Sequence, residues 1–323
     1  GYHRQPGTPH AEAVAILRAG KDAEGGTLYI NLEPCVHFGR TPPCVDTLIQ
    51  TQLKRVVISA ADPNPVVYTK GIQSLRQVGI DVSVGLLEEK NARLNEIYIK
   101  FITKKIPFLT AKVASSLDGK IATKNGTSRW ISSPATRQYI HQLRGEHDAI
   151  MVGINTILQD DPLLTVRHPD WDKKSLTRVI LDSKLRFPTK SRMFDTLSRG
   201  DIFIFSGIDA SAAKEQELRD KGARVFRVPH SDTGLDLEAV LATLGEEEIA
   251  SVLVEGGGRT LTALLDRRLI DKIYATLSPK LIGGDSAPSF YRGEGVESVE
   301  HALRLNRIHS FNIGEDIIVE GYC

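Results

Sequence analysis

His10-Ala11-Glu12, followed by Glu33–Cys44 (EPCVHFGRTPPC), decides how the first third of the chain is read. Zinc deaminases bind metal through one His and two Cys, keep the fourth position for water, and place a non-ligating Glu two residues after the His. The expected ligands are therefore His10, Cys35 and Cys44. Zinc lowers the pKa of a water molecule to about 7. Glu12 would accept that water's proton and return protons to a ring nitrogen and the leaving amine. A structural zinc site fills its fourth position and needs no such base, so Glu12 speaks against a non-catalytic module.

The flanking pattern supplies the scaffold. Thr27–Leu32 (TLYINL), Arg55–Ala60 (RVVISA) and Asp81–Leu87 (DVSVGLL) read as strands. Ala11–Ala19, Cys44–Gln52 and Lys70–Val78 read as helices, from apolar spacing near 3.6. Strands alternating with helices predict an α/β fold with a largely parallel sheet. In that arrangement Cys35 follows a strand, while His10, Glu12 and Cys44 open helices. Strand ends and helix N-termini meet at one sheet edge, and a helix N-terminus favours the thiolate. Glu88–Lys105 reads as one amphipathic helix with Leu94, Ile97, Tyr98 and Phe101 on one side, stopped by Pro107. The domain boundary is placed there, giving domains 1–105 and 106–323.

The remainder also alternates. Strands are expected at Phe108–Ser115, Ala149–Gly153, Arg178–Asp182, Ile202–Ser206, Arg224–Val228, Ser251–Val254 and Lys272–Leu277, with a closing hairpin at Leu305–Ile313 and Asp316–Glu320. Helices fit Pro134–Glu146, Ala210–Lys221, Leu237–Leu244 and Thr260–Arg267. Gly256-Gly257-Gly258, between a strand and a helix, would let backbone amides approach a phosphate at a helix N-terminus. It is not the G-x-G-x-x-G pattern of a Rossmann dinucleotide site.

Composition narrows the function. The 323 residues suggest two domains at a prior of about 150 each. Lys and Arg number 41 against 40 Asp and Glu, a net charge of +1. A nucleic-acid deaminase would carry a basic surplus, so a small-molecule substrate is favoured, without nucleic acid or membrane. Three cysteines cannot build a disulfide framework, and no leader or long apolar run is seen, so a cytoplasmic protein is expected.

Eight residues separate Cys35 from Cys44, where most zinc deaminases have two. That longer loop, with Asp62–Pro65 (DPNP), resembles the deaminase half of the bifunctional riboflavin-biosynthesis deaminase/reductase family. Lys112–Ile121 (KVASSLDGKI), Ser128–Ser132 (SRWIS), Gly153–Arg167 (GINTILQDDPLLTVR), Val179–Ser183 (VILDS), Val254–Gly258 and Pro279–Gly284 (PKLIGG) resemble its reductase half. The resemblance covers nearly the whole chain, in order. It implies a cytidine-deaminase-like three-layer domain followed by a dihydrofolate-reductase-like α/β domain, with Zn2+ and NADPH as cofactors. It implies deamination of a pyrimidine ribosyl phosphate and then reduction of the ribosyl chain to ribityl.

By the same resemblance, His37, Arg40 and Thr41 face the substrate of the first step. Ala114, Trp130, Thr156, Asp160, Ser183, Gly257 and Gly258 lie at the NADPH. Lys112, Ser128, Arg144, Leu163, Arg167 and Glu255 lie at the second substrate. Arg144 and Arg167 suit its phosphate, because a guanidinium fork binds phosphate bidentately. A homodimer through the reductase domains is a further expectation. The family's deaminase half begins with a helix and two strands ahead of this chain's first residue, including an Asn that helps hold the base. An uncovered sheet edge and an incomplete pocket are therefore expected, and a protein in which only the reductase works is the alternative.

Overall fold

Thr27–Leu32 (β1), Arg55–Ala60 (β2) and Asp81–Val84 (β3) pair in parallel, in the order β1-β2-β3. The run Val56-Val57-Ile58 of β2 is buried, as befits a central strand covered on both faces. β1 alternates between exposed and half-buried residues, and Tyr29 is 68% exposed. Among the described residues β1 pairs only with β2, so it is an edge of this sheet. Around the sheet lie Ala11–Ala19 (α1), Cys44–Gln50 (α2), Lys70–Gln77 (α3), Glu88–Leu94 (α4) and Glu96–Lys104 (α5). Leu48, Val56, Ile58, Ile72, Leu75 and Val82 form the centre of the core.

The computed structural model describes the whole chain except Pro6, Arg40, Asp172, Lys173 and Thr233. It divides into two units, Gly1–Lys105 and Ile106–Cys323.

The expected single helix over Glu88–Lys105 is two helices, broken at Asn95 (φ −108°, ψ 16°). Asn95 Nδ2 donates to the Asn91 side-chain oxygen at 2.7 Å and to the Asn91 carbonyl at 3.1 Å. The backbone bonds from Asn95 to Asn91 (3.0 Å) and from Ile99 to Asn95 (2.8 Å) persist across the break. Leu94, expected on the apolar side with Tyr98, is 74% exposed.

The second unit is built on a nine-stranded sheet. Its strands are Phe108–Ser116 (β4), Ala149–Gly153 (β5), Thr177–Leu181 (β6), Ile202–Gly207 (β7), Ala223–Val228 (β8), Ser251–Val254 (β11), Lys272–Ser278 (β12), Asn306–Ile313 (β13) and Asp316–Tyr322 (β14). A separate short ladder joins His230–Ser231 (β9) to Gly234–Leu235 (β10). The large sheet runs β13-β14-β12-β4-β11-β5-β6-β7-β8 and is parallel except where β14 meets β12 and β13. Pro134–Glu146 (α6), Ile154–Asp160 (α7), Ala212–Asp220 (α8), Leu237–Glu246 (α9) and Gly258–Asp266 (α10) complete the unit.

Two corrections to the sequence reading bear on function. Ile154–Asp160 is a helix, too short for its periodicity to stand out. The helix expected from Thr260 already begins at Gly258, so the glycine turn is itself the helix start. α6 starts where its sequence directs: Ser133 Oγ accepts from Thr136 N–H at 3.3 Å and Pro134 occupies the first turn.

Candidate active sites

In the first unit the expected metal ligands come together. His10 caps α1, Cys35 follows β1 by a short loop, and Cys44 is the first residue of α2. Their ligand atoms all lie within 4.8 Å of one another. His10 Nδ1 is 3.2 Å from Cys44 Sγ and 3.6 Å from Cys35 Sγ. Its other nitrogen, Nε2, lies 3.3 Å from Thr41 Oγ1, the outer contact that orients a ligating imidazole. Two soft sulfurs and one imidazole suit zinc with a fourth position left open.

Without metal the two thiols share one proton. The hydrogen bond from the Cys44 side chain lowers Cys35 to about 5, helped by the Cys44 backbone N–H at 3.3 Å, and Cys44 is pushed up in return. Glu12, in the first turn of α1, is raised above an ordinary carboxyl by burial. That shift moves a base toward neutral pH, where proton transfer in both directions is most useful. A pocket of about 240 Å3 opens beside the ligands, lined by His3, His10, Cys35, His37 and Thr41. His37 thus lines the same pocket as the ligands His10 and Cys35. Arg40 lies outside the described residues.

Glu33 has a role that the sequence reading missed. Its buried carboxylate accepts three backbone N–H groups, from Asp62 (3.1 Å), Thr69 (3.0 Å) and Ile72 (3.1 Å). It thereby ties the end of β1, two residues before Cys35, to the Asp62–Pro65 loop and the start of α3. Asp62 in turn accepts from Tyr98 Oη at 2.9 Å and from Asn64 N–H at 2.9 Å, so the loop is a hydrogen-bonded turn as well as a junction. A charged residue in an otherwise turn-like stretch was the available signal.

The second unit holds a cavity of about 870 Å3 at the carboxyl ends of β4, β11, β5 and β6, the edge where open α/β sheets bind ligands. Ala114, Trp130, Thr156, Asp160, Ser183, Gly257 and Gly258 all line it, as do Lys112, Ser128, Arg144, Arg167 and Glu255. Leu163 does not, although its neighbours Pro162 and Leu164 do. Trp130 is 64% exposed with the Arg137 guanidinium 4.4 Å from its ring centre. Lys280 holds the Trp130 loop by donating to the carbonyls of Trp130 (3.0 Å) and Ile131 (2.7 Å).

At the glycine turn, Gly257 caps α10 and a Cβ there would meet nothing within 4 Å, so the turn presents open backbone to the cavity. A cavity of this size with such a turn fits an extended dinucleotide phosphate.

Arg144 Nε and Nη2 bond Glu255 and Nη1 donates to the Thr165 carbonyl at 3.2 Å, so three of its five N–H groups are engaged by the protein. His141 was not foreseen. Arg137, His141 and Arg144, at i, i+4 and i+7 on α6, present one polar face to the cavity, and that spacing was the signal.

Comparison with known proteins accords with both sites. Residues 107–319 match the RibD C-terminal domain, and residues 1–60 match the cytidine and deoxycytidylate deaminase zinc-binding region. The riboflavin biosynthesis protein RibD of Aquifex aeolicus is 42% identical over 320 residues, covering 99% of this chain and 86% of that protein.

The chain belongs to the RibD family.

RibD of Acinetobacter baumannii superposes with a TM-score of 0.86 at 34% identity, covering 100% of this chain and 87% of that one. The Thermotoga maritima diaminohydroxyphosphoribosylaminopyrimidine deaminase/5-amino-6-(5-phosphoribosylamino)uracil reductase gives 0.84 at 34% identity, with the same coverage. Like other RibD proteins, this one is a bifunctional enzyme of riboflavin biosynthesis, with a cytidine-deaminase-like zinc domain and a reductase domain that uses NADPH. Among the described residues no helix is long and apolar enough to cross a membrane.

Proposed function

We propose that this RibD protein carries out two consecutive steps with the residues assigned below. The first is hydrolytic deamination of 2,5-diamino-6-ribosylamino-4(3H)-pyrimidinone 5′-phosphate. The second is reduction of the ribosyl side chain of that product to ribityl. The observation that carries the reading is the convergence of His10, Cys35 and Cys44 beside the half-buried Glu12.

Zinc held by these three residues supplies a nucleophilic water at neutral pH. Glu12 would take a proton from the water and deliver protons to the ring nitrogen and to the departing amine, so that the water oxygen stays on the ring carbon as the carbonyl while the C–N bond breaks and ammonia leaves. Thr41 keeps His10 oriented, and His37 contacts the pyrimidine or its ribosyl phosphate.

In the second cavity NADPH supplies the hydride. The Gly257–Gly258 turn and the start of α10 take its pyrophosphate, with Ala114, Trp130, Thr156, Asp160 and Ser183 along its length. Glu255, fixed by Arg144 and Lys112, accepts hydrogen bonds from the ribose hydroxyls, Ser128 lies beside them, and Arg167 takes the phosphate. A cytoplasmic homodimer joined through the reductase units is part of the proposal, and light scattering tests it.

The deciding experiment measures zinc content and ammonia release from the diaminopyrimidine ribosyl phosphate, for the chain and for Glu12→Ala. The reading expects stoichiometric zinc in both proteins, ammonia release reduced by at least about 100-fold in the variant, and an unaltered reductase rate. Zinc without ammonia release in the unmodified chain would leave the reductase as its one activity.

A further inference from the structure

His141 projects from α6 into the reductase cavity next to Arg167. Its Nδ1 accepts the Arg167 backbone N–H at 3.2 Å, and its Nε2 lies 3.1 Å from Arg167 Nη2. Burial, and then the neighbouring Arg144 and Arg167 cations, lower the ring to about 4, so it is neutral at physiological pH. A neutral imidazole has one lone pair and one N–H. The backbone N–H of Arg167 occupies the lone pair on Nδ1, which leaves the hydrogen on Nε2.

Nε2–H and the Arg167 guanidinium are thus two donors only 3.1 Å apart. Two donors this close are stabilised by a shared acceptor, and most strongly by an ionised one. Arg144, in the same wall, gives three of its five N–H groups to Glu255 and Thr165. The donor in contact with the Arg167 guanidinium is the histidine.

We propose that His141 is a substrate-binding residue of the reductase, its Nε2–H and the Arg167 guanidinium together holding the phosphate of the ribosyl phosphate. This rests on the reading above that sets the sugar phosphate at Arg167. The ligand chemistry is a phosphate monoester, and NADPH also carries phosphates, so the test separates the two.

Reductase kinetics are compared for the full chain, His141→Ala, His141→Leu (similar bulk, no N–H), His141→Gln and Arg167→Ala. The substrates are the aminouracil ribosyl phosphate and its dephosphorylated form, with inorganic phosphate as a competing inhibitor. His141→Ala and His141→Leu are expected to raise KM for the phosphorylated substrate about tenfold and to weaken phosphate inhibition by a similar factor. Turnover of the dephosphorylated form and KM for NADPH stay unchanged. His141→Gln, whose amide can both donate and accept, retains most of the affinity.

Equal losses on both substrates in either loss variant would overturn the proposal, since that is what a structural role predicts. A rise confined to the NADPH KM would overturn it in favour of a cofactor phosphate. If Arg167→Ala discriminates between the substrates and the His141 variants do not, the His141 assignment alone falls. If Arg167→Ala does not discriminate either, the location of the sugar phosphate falls with it.

Discussion

Arg144 and Glu255 form a two-pronged ion pair in the reductase cavity, with Nε 2.5 Å from Oε1 and Nη2 3.0 Å from Oε2. Lys112 approaches the same carboxylate at 3.6 Å. The Glu255 side chain is 9% exposed, so it is almost entirely out of water. Removing one member of such a pair leaves an uncompensated buried charge, at about 3–5 kcal/mol. Glu255→Ala is expected to destabilise the second unit by about 3 kcal/mol in urea unfolding and to abolish NADPH oxidation.

The same carboxylate sets a pH dependence. Burial pushes the Glu255 carboxyl up, but Arg144 and Lys112 outweigh it and hold it at about 2. A carboxyl whose folded pKa lies below its unfolded value of about 4.3 adds stability above that value and loses it as pH falls through the folded pKa. The stability difference between the unmodified chain and Glu255→Gln should therefore be full above about pH 5 and vanish near about pH 2. Denaturant midpoints across that range check it, and a difference independent of pH would contradict the pairing.

Gly257→Ala separates a cofactor role from a structural one. The added Cβ meets no protein atom within 4 Å, and the backbone there (φ −64°, ψ 167°) is open to any residue. Its thermal midpoint should stay unchanged while KM for NADPH rises about tenfold, through lost close approach of the backbone to phosphate. Unchanged NADPH affinity would move the pyrophosphate away from this turn.

Glu33→Ala should unfold the zinc site without touching a ligand. Three backbone donors lose their ionised acceptor, each worth about 1.5–3 kcal/mol as a hydrogen bond to a charged group. Loss of at least about 3 kcal/mol from the first unit is expected, with weaker zinc retention on dialysis and an unaltered reductase rate.

Metal removal should expose one cysteine selectively. In the chelated protein Cys35 titrates at about 5 while Cys44 is pushed up, and only the thiolate is nucleophilic. Iodoacetamide should then label Cys35 ahead of Cys44, at a rate that is flat above about pH 6 and falls as pH drops through about 5. Zinc should protect both. Equal labelling of the two thiols would contradict the shared proton.

Much of this was legible in the order of residues. Alternating strands and helices determine a parallel α/β sheet, because strand periodicity and helix periodicity each bury one kind of face. His10, Glu12, Cys35 and Cys44 were readable because zinc chemistry restricts both residue type and position relative to element ends. What only the tertiary structure decided depends on partners far apart in the chain. Glu255 lies 111 residues from the arginine that holds it, a pairing that no local spacing announces. Glu33 binds amides 29 to 39 residues away. The break falls at Asn95, whose side chain bonds Asn91 one turn back, a contact that apolar periodicity does not register. His141 becomes a donor only because the backbone of Arg167, 26 residues on, takes its other nitrogen. Periodicity reports which face of an element is apolar; which charge meets which is settled when the elements pack.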